Sequence, residues 1–211
     1  MNSERVDPGV AAEFPGLQIV STVIEARATR SPPELRQRLR DLSDGFTGAQ
    51  AVMLRQQPIP AAYRVFFRHI GLDPDVDRIP VETLAVERLK HGGFKSRNTL
   101  DDALTIALME TAVPLWALDD DGVAGELEIR PGRSGEVLGG GEYPTRVPGG
   151  RLVVADDAGP VAVLFGDVVA GRGVTAATER MRLFSVVVAG VPQIHVEEAF
   201  WLCEEALTGE A

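Results

Sequence analysis

Residues 93–119, GFKSRNTLDDALTIALMETAVPLWALD, hold the densest run of side chains able to do chemistry. Lys95 and Arg97 are cations suited to phosphate or carboxylate groups, arginine through its planar fork. Asn98, Thr99 and Asp102 follow at the start of a helical pattern, where they either line a pocket or cap the helix. Glu110 interrupts the apolar face of that helix and is open to a substrate or to an ion pair with a nearby arginine. Trp116 follows Pro114 and reads either as core or as a stacking platform. Upstream, Arg27, Arg30, Arg36, Arg38 and Arg40 lie within fourteen positions that contain one acid, Glu34. Lys90, Lys95 and Arg97 form a second basic cluster. The functional reading of both clusters is phosphate contact, and the simpler reading is a solvated helix face.

Other chemistries lack their motifs. The chain has no phosphate-binding P-loop, no HExxH, no GxSxG elbow and no EF-hand loop. The GGGE stretch at 139–142 lacks the strand-to-helix setting of a phosphate cradle and reads as a loop between strands. His69, His91 and His195 have no ligand-spaced neighbours, so neither a metal nor a cofactor is expected. Asp119-Asp120-Asp121-Gly122 reads as a solvated turn rather than a cation site. Cys203, the one cysteine, is followed by Glu204 and Glu205, which raise a thiol pKa, so it reads as a core residue and not a nucleophile.

Composition bounds the partners. The 211 residues include 21 Lys/Arg against 31 Asp/Glu, a formal charge of −10, which excludes indiscriminate coating of a polyanion. Residues 1–105 carry 14 basic and 14 acidic side chains, whereas residues 106–211 carry 7 and 17. A polyanionic partner is therefore expected to meet the first half. The N-terminal stretch lacks the basic start and apolar run of a signal peptide. No apolar run approaches the ~20 residues that span a bilayer. The expectation is a cytoplasmic protein without a membrane partner.

Elements must position these residues. Residues 17–26 predict a buried strand. Ser31-Pro32-Pro33-Glu34 predicts a capped helix start, with Ser31 as the N-cap. A helix after Pro60 buries Tyr63, Phe66, Phe67 and Ile70 and stops at Gly71. Another runs from Pro80 to Lys90 and stops at Gly92-Gly93. A fourth covers 99–111, with Thr99 and Asp102 at capping-box spacing and Leu100, Leu104 and Leu108 as its apolar stripe. Residues 126–130 alternate. Residues 151–155 and 160–165 flank Asp156-Asp157-Ala158-Gly159 as a hairpin. Residues 183–189 read as a strand and 195–207 as a closing amphipathic helix. The layout predicts an α+β fold, one compact domain over 1–211 with mixed β-sheets and flanking helices.

In order and spacing these segments resemble the B3/B4 domain of the bacterial phenylalanyl-tRNA synthetase β subunit, and more closely free-standing proteins built from that domain alone. The resemblance rests on Lys95, Asn98, Asp102, Glu110 and Pro114-Leu115-Trp116-Ala117-Leu118-Asp119. There the synthetase has a basic residue, Asn, Asp, a helix with Glu, then Pro-Leu-His-Ala-Phe-Asp. Residues 63–74 look like the opening helix of the free-standing members, 152–159 like the later hairpin and 174–178 like the turn after it. The likeness covers about 60–190. It implies a B3/B4-like fold and a tRNA-editing activity that hydrolyses the ester of a mischarged aminoacyl-tRNA without a metal. In that reading Asn98 and Asp102 are catalytic, and Lys95, Arg97, Thr99, Glu110 and Trp116 bind substrate. Arg36, Arg40 and Lys90 contact RNA. The chain departs from the pattern at Lys95 (arginine in the synthetase), at Trp116 (histidine) and at Phe165-Gly166-Asp167-Val168-Val169 (a glycine-rich turn). A late acid is replaced by the Phe184-Ser185-Val186 neighbourhood. Tyrosine specificity is therefore not expected. Two readings stay open beside a trans-editing hydrolase: a non-catalytic module binding RNA or a small amino-acid-like ligand, and a small-ester hydrolase reusing the pocket.

Overall fold

The computed structural model describes residues 1–139 and 145–209, so most of the GGGE stretch lies outside the described residues. In chain order the elements are β1 (Asn2–Ser3), β2 (Arg5–Val6), α1 (Pro8–Glu13), β3 (Gln18–Glu25), α2 (Pro33–Gly45), α3 (Gly48–Met53), α4 (Pro58–His69), α5 (Pro80–His91), α6 (Thr99–Thr111), β4 (Trp116–Asp119), β5 (Glu128–Pro131), β6 (Val137–Leu138), β7 (Thr145–Arg146), β8 (Leu152–Asp156), β9 (Gly159–Val163), β10 (Arg180–Val187) and α7 (Gln193–Thr208). The helices α2–α6 follow one another without a strand between them, and the strands cluster before and after. With 41% helix and 22% strand this is the α+β class. The chain divides into two compact units. One comprises Met1–Arg27 and Trp116–Val187, the other Ala28–Leu115 and Val188–Ala211.

The first unit is the strand-rich one. One sheet is antiparallel, in the order β1-β3-β10-β4, and a second has the order β2-β5-β8-β9. In the second sheet β2 runs parallel to β5 while the other pairs are antiparallel, so that sheet is mixed. Glu4, between β1 and β2, lets the chain pass from one sheet to the other. Its carboxylate accepts from the Ser21 hydroxyl on β3 and from the Leu127 N–H (3.0 Å) just before β5. The predicted hairpin forms with Asp156 opposite Gly159. Asp156 Oδ1 accepts from the N–H groups of Ala158 and Gly159, and Gly159 takes φ +140°, a conformation that suits a residue without Cβ.

The Asp119–Gly122 segment is not the solvated turn expected. Asp120 is 6% exposed and accepts from Arg180 and from Arg182 Nε (2.8 Å), while Asp119 Oδ2 accepts from Thr178 Oγ1 (2.7 Å). Arg180 and Arg182 stand two apart on β10 and so share one sheet face, which brings both guanidinium groups to a single carboxylate.

The second unit is helical. The proline-led helix starts of α2, α4 and α5 use residues whose missing N–H would be unpaired there anyway. The α4 start lies at Pro58, two residues before the expected Pro60, because both prolines fit within the first turn. Gly92 ends α5 at φ +75°. Leu35 and Leu39 of α2 pack on Ile106 of α6, with Leu42, Phe94 and Ala206 of α7 around them. At about 1.5–3 kcal/mol per buried aliphatic side chain, this contact supplies much of the reason α2 and α6 stay together. The fully buried face of α6 is Ala103, Ile106 and Ala107, while Leu104 and Leu108 of the expected stripe are half-buried.

A buried ion pair joins α4 to α5. Arg64 Nη1 donates to both Glu82 oxygens (2.8 and 2.9 Å) and to the Pro74 carbonyl (3.2 Å), and Nη2 donates to Asp75 (2.7 Å). That bond holds the Asp75 carboxyl below the usual carboxylate range. Removing one partner of such a pair strands the other charge. Glu82→Ala is therefore expected to lower unfolding free energy by about 3–5 kcal/mol in urea melts, and the double variant Arg64→Met/Glu82→Leu to lose much less. Equal losses in the two proteins would refute the assignment.

Candidate functional site

The turn between α5 and α6 carries the candidate site, and it is tied down at Phe94, Ser96 and Arg97. Arg88 of α5 donates through Nε and Nη2 to the Ser43 carbonyl near the end of α2 (3.1 and 2.7 Å). The Phe94 N–H donates to Ser43 Oγ (3.2 Å), and its ring packs on the α2–α6 cluster. Ser96 Oγ donates to Asp102 Oδ2 (2.5 Å), and the Arg97 N–H donates to Asp102 Oδ1 (3.0 Å). Ser31 Oγ donates to Asp102 Oδ2 as well (2.6 Å). Thr99 and Thr29 exchange two bonds, Thr99 N–H to the Thr29 carbonyl (2.9 Å) and Thr29 N–H to Thr99 Oγ1 (3.0 Å).

These bonds correct two expectations about helix ends. Ser31 does not cap α2: Pro32 stands at that position without a side-chain bond, because the Ser31 hydroxyl is turned to Asp102. Thr99 and Asp102 do not form the cap of α6. Asn98 does, its Oδ1 accepting from the Asp101 N–H (2.9 Å) while its Nδ2 donates to the Asp101 carboxylate (3.0 Å). Asp102 is 1% exposed and Thr99 is buried.

Anchoring through Phe94, Ser96 and the Arg97 N–H leaves two cationic side chains outward. Lys95 and Arg97 are exposed, and among the described residues neither side chain has a hydrogen-bond or ion-pair partner. Together with Arg88, His91 and Phe94 they line a cleft of about 390 Å³. His91 Nδ1 lies 2.9 Å from the Glu87 carbonyl, which can only accept, so Nδ1 carries the proton and Nε2 remains for another partner.

The remaining sequence candidates lie elsewhere. Glu110, at the other end of α6, accepts from Arg38 Nη2 (3.0 Å) and Nε (3.2 Å), and Arg38 Nη1 donates to Glu205 of α7 (3.3 Å). Arg40 is exposed and donates to Gln37; Lys90 is exposed. Arg36 is half-buried, and its Nε is the one fully covered side-chain donor without a protein acceptor among the described residues. Trp116 belongs to the other unit. It opens β4, is half-buried, stacks on Phe184 (centroids 5.6 Å, planes 20° apart) and meets Phe165 at 6.1 Å. Phe165 sits at φ +63°, a conformation rare for a bulky side chain.

Three contributors escape a sequence reading. Ser96 is six positions from Asp102 and Ser31 is seventy-one, and no local pattern marks either as its donor. Phe94 joins the cleft through tertiary packing alone. Burial pushes the Cys203 thiol up, with Glu204 adding to it, and the side chain is covered by the core. Among the described residues no group of three His, Cys, Asp or Glu side chains is placed to hold a metal ion, and no helix is long and apolar enough to cross a membrane.

Asp102→Ala would leave two hydroxyls and one N–H without their acceptor. It is expected to cost about 3 kcal/mol of stability and to speed hydrogen exchange at the Arg97 amide, with β3 and β10 amides unchanged. Unaltered protection at Arg97 would show that the loop is held by something else.

No protein-family profile matches the chain. The phenylalanine–tRNA ligase β subunit of Nitrosospira multiformis is 32% identical to it over 123 residues, which cover 55% of this chain and 14% of that subunit. The β subunit of Chromobacterium violaceum is 31% identical over 127 residues, covering 59% and 14%. That of Psychrobacter arcticus is 31% identical over 107 residues, covering 50% and 13%. The likeness thus takes in half or more of this chain and a small part of each much longer relative.

Proposed function

We propose that this chain is a B3/B4-type domain that binds the aminoacylated end of a tRNA. The observation that carries the proposal is the anchored turn at 93–98, held at the Phe94 and Arg97 N–H groups by Ser43 and Asp102, which leaves the Lys95 and Arg97 side chains exposed and unpaired among the described residues. The anchored turn keeps both cations at the cleft, and arginine can meet two phosphate oxygens at once. The similarity to tRNA-ligase β subunits supports RNA as the source of that anion. Arg36, Arg40 and Lys90 supply further phosphate contacts on this reading.

A second reading, hydrolysis of the ester of a mischarged tRNA, is favoured by one feature of Asn98. After capping α6 its amide keeps one Nδ2 hydrogen and one Oδ1 lone pair, enough to orient a water or an ester carbonyl. Asp102, almost without exposed surface, would act by positioning the loop rather than by taking a proton. Lys95 and Arg97 would shape the substrate seat, buried Thr99 would hold the loop through Thr29, and Glu110 would hold Arg38 in place.

The test is retention of tRNA by the full chain as salt is raised. Five phosphate contacts predict a loss of roughly 100-fold in affinity between about 50 and 200 mM salt. No retention at low salt sinks the RNA reading and leaves the small amino-acid-like ligand. For hydrolysis, a panel of mischarged tRNAs is expected to lose amino acid faster than the blank, and Asn98→Ala to abolish the gain. A panel that decays at the blank rate removes that reading.

A further inference from the structure

We infer that the helical unit pairs with a second copy of this chain, α7 of each copy lying on α4 of the other. The inference starts from an exposed tryptophan. On α7, Trp201 is 59% exposed and Ile194 is 65% exposed. Seven residues make close to two helical turns, so the two side chains lie on one line along the helix. That line is opposite the buried face of Val196, Ala199, Phe200 and Cys203. Large apolar side chains aligned in water mark an interaction surface more often than a lone one does. Glutamates flank the line, Glu197 and Glu204 on one side, Glu198 and Glu205 on the other. The helix contains no Lys or Arg. Arg38 takes Glu205 and His195 faces Glu198 at 3.2 Å, whereas among the described residues Glu197 and Glu204 have no cationic partner. A partner for this face must therefore offer an apolar surface together with positive charge. The same glutamates repel an anionic lipid surface or a nucleic acid.

The helical unit carries such a surface itself. Helix α4 reads PIPAAYRVFFRH and contains no acid. Its Tyr63, Phe66 and Phe67 are buried, and buried Arg64 is committed to Glu82 and Asp75. Outward stand Val65, 48% exposed, and, one turn on, Arg68 and His69. Arg68 is near enough to Asp75 to help lower its pKa, but Arg64 and Arg55 already bond that carboxylate, so Arg68 is open to a further acid. The two helices are neighbours within one copy. Gly190 stands two residues before Pro192, the cap of α7, and a Cβ on it would lie 3.4 Å from the Ala62 Cβ of α4. A two-fold axis running between the helices along the surface lays α4 of each copy on α7 of the other. That is the self-complementary patch a closed dimer needs. Both contacts then form at once, each bringing Val65 towards Ile194 and Trp201 and Arg68 among the glutamates. The Arg68 guanidinium is suited both to a carboxylate and to the indole face. Helices of about 24 and 18 Å crossing twice make an interface at the small, reversible end of the size range. A formal charge of −10 keeps copies apart at a distance, so the pairing depends on concentration.

Sedimentation equilibrium of the full chain from about 5 to 500 µM tests this, a range that suits weak, reversible interfaces. The mass is expected to rise from that of one chain towards twice it. Trp201→Gln and the double variant Glu197→Lys/Glu198→Lys change exposed side chains of α7. Each is expected to raise the dissociation constant at least about tenfold with an unchanged thermal melt. Arg68→Glu is expected to do the same from α4. Mixing the Glu197→Lys/Glu198→Lys protein with the Arg68→Glu protein restores opposite charges at both contacts. The mixture is expected to dimerise where neither protein does so alone. A single-chain mass at every concentration overturns the inference, as does a dimer that all three variants leave intact. A mass that climbs past two chains overturns the closed two-fold pair. Variants that are each folded and monomeric but do not recover on mixing overturn the pairing of α7 with α4.

Discussion

A carboxylate with almost no exposed surface must be solvated by the protein itself, and Asp102 takes that solvation from three points of the chain. Ser31 comes from the segment before α2, and Ser96 and the Arg97 N–H come from the turn before α6. No cation is paired with Asp102 among the described residues. Its charge is offset by hydrogen bonds and by its place in the first turn of a helix, where the peptide dipoles favour an anion. Each donor that satisfies it is also fixed by it. The approach to α2, the α5–α6 turn and the start of α6 therefore cannot move independently without uncovering a charge. Together with the Thr29–Thr99 exchange, this makes the turn a rigid part of the helical unit despite its lack of regular structure.

The cations of this unit fall into groups that their positions in sequence do not reveal. Arg64 is buried and bound to Glu82 and Asp75. Arg38 joins α2, α6 and α7 through Glu110 and Glu205, partners 72 and 167 positions away. Arg88 serves the Ser43 carbonyl. These are structural charges, and breaking them costs fold stability before it affects any ligand. Lys95 and Arg97 are different because the fold makes no use of their side chains among the described residues, and Arg97 is held through its N–H instead. A side chain that the fold does not need is the kind a ligand can take without competition.

Local signals made part of this legible. The bounds of α6, the stop at Gly92 and the hairpin at 152–163 follow from apolar periodicity and turn residues, whose effects act within a few positions. The short helix α3 has its own local mark, the reciprocal Thr47–Gln50 cap, which a search for apolar periodicity passes over. What the sequence could not disclose depends on distant partners. Ser31 has the right type and spacing for a cap but meets a buried acceptor 71 positions on, which competes better for its hydroxyl. Asp120 looks like a solvated turn residue until β10 brings two arginines to it. Trp116 lies six residues beyond Glu110 in sequence, yet it opens a strand of the other unit.

Charge shows the same limit and then sets the scale of recognition. The first half of the sequence is neutral, but folding does not keep that half together. Helix α7 brings its acids back to the helical unit, which holds 12 Lys/Arg against 16 Asp/Glu, while the strand-rich unit holds 9 against 15. Neither unit presents the basic field that draws nucleic acid from a distance. With screening lengths of about 8 Å at physiological salt, however, a bound phosphate responds mainly to charges beside it. In the α5–α6 cleft those are Arg88, Lys95 and Arg97 against Glu87 and Asp101. An acidic protein with a locally cationic, partly apolar cleft on a fixed loop is poorly suited to coating a strand.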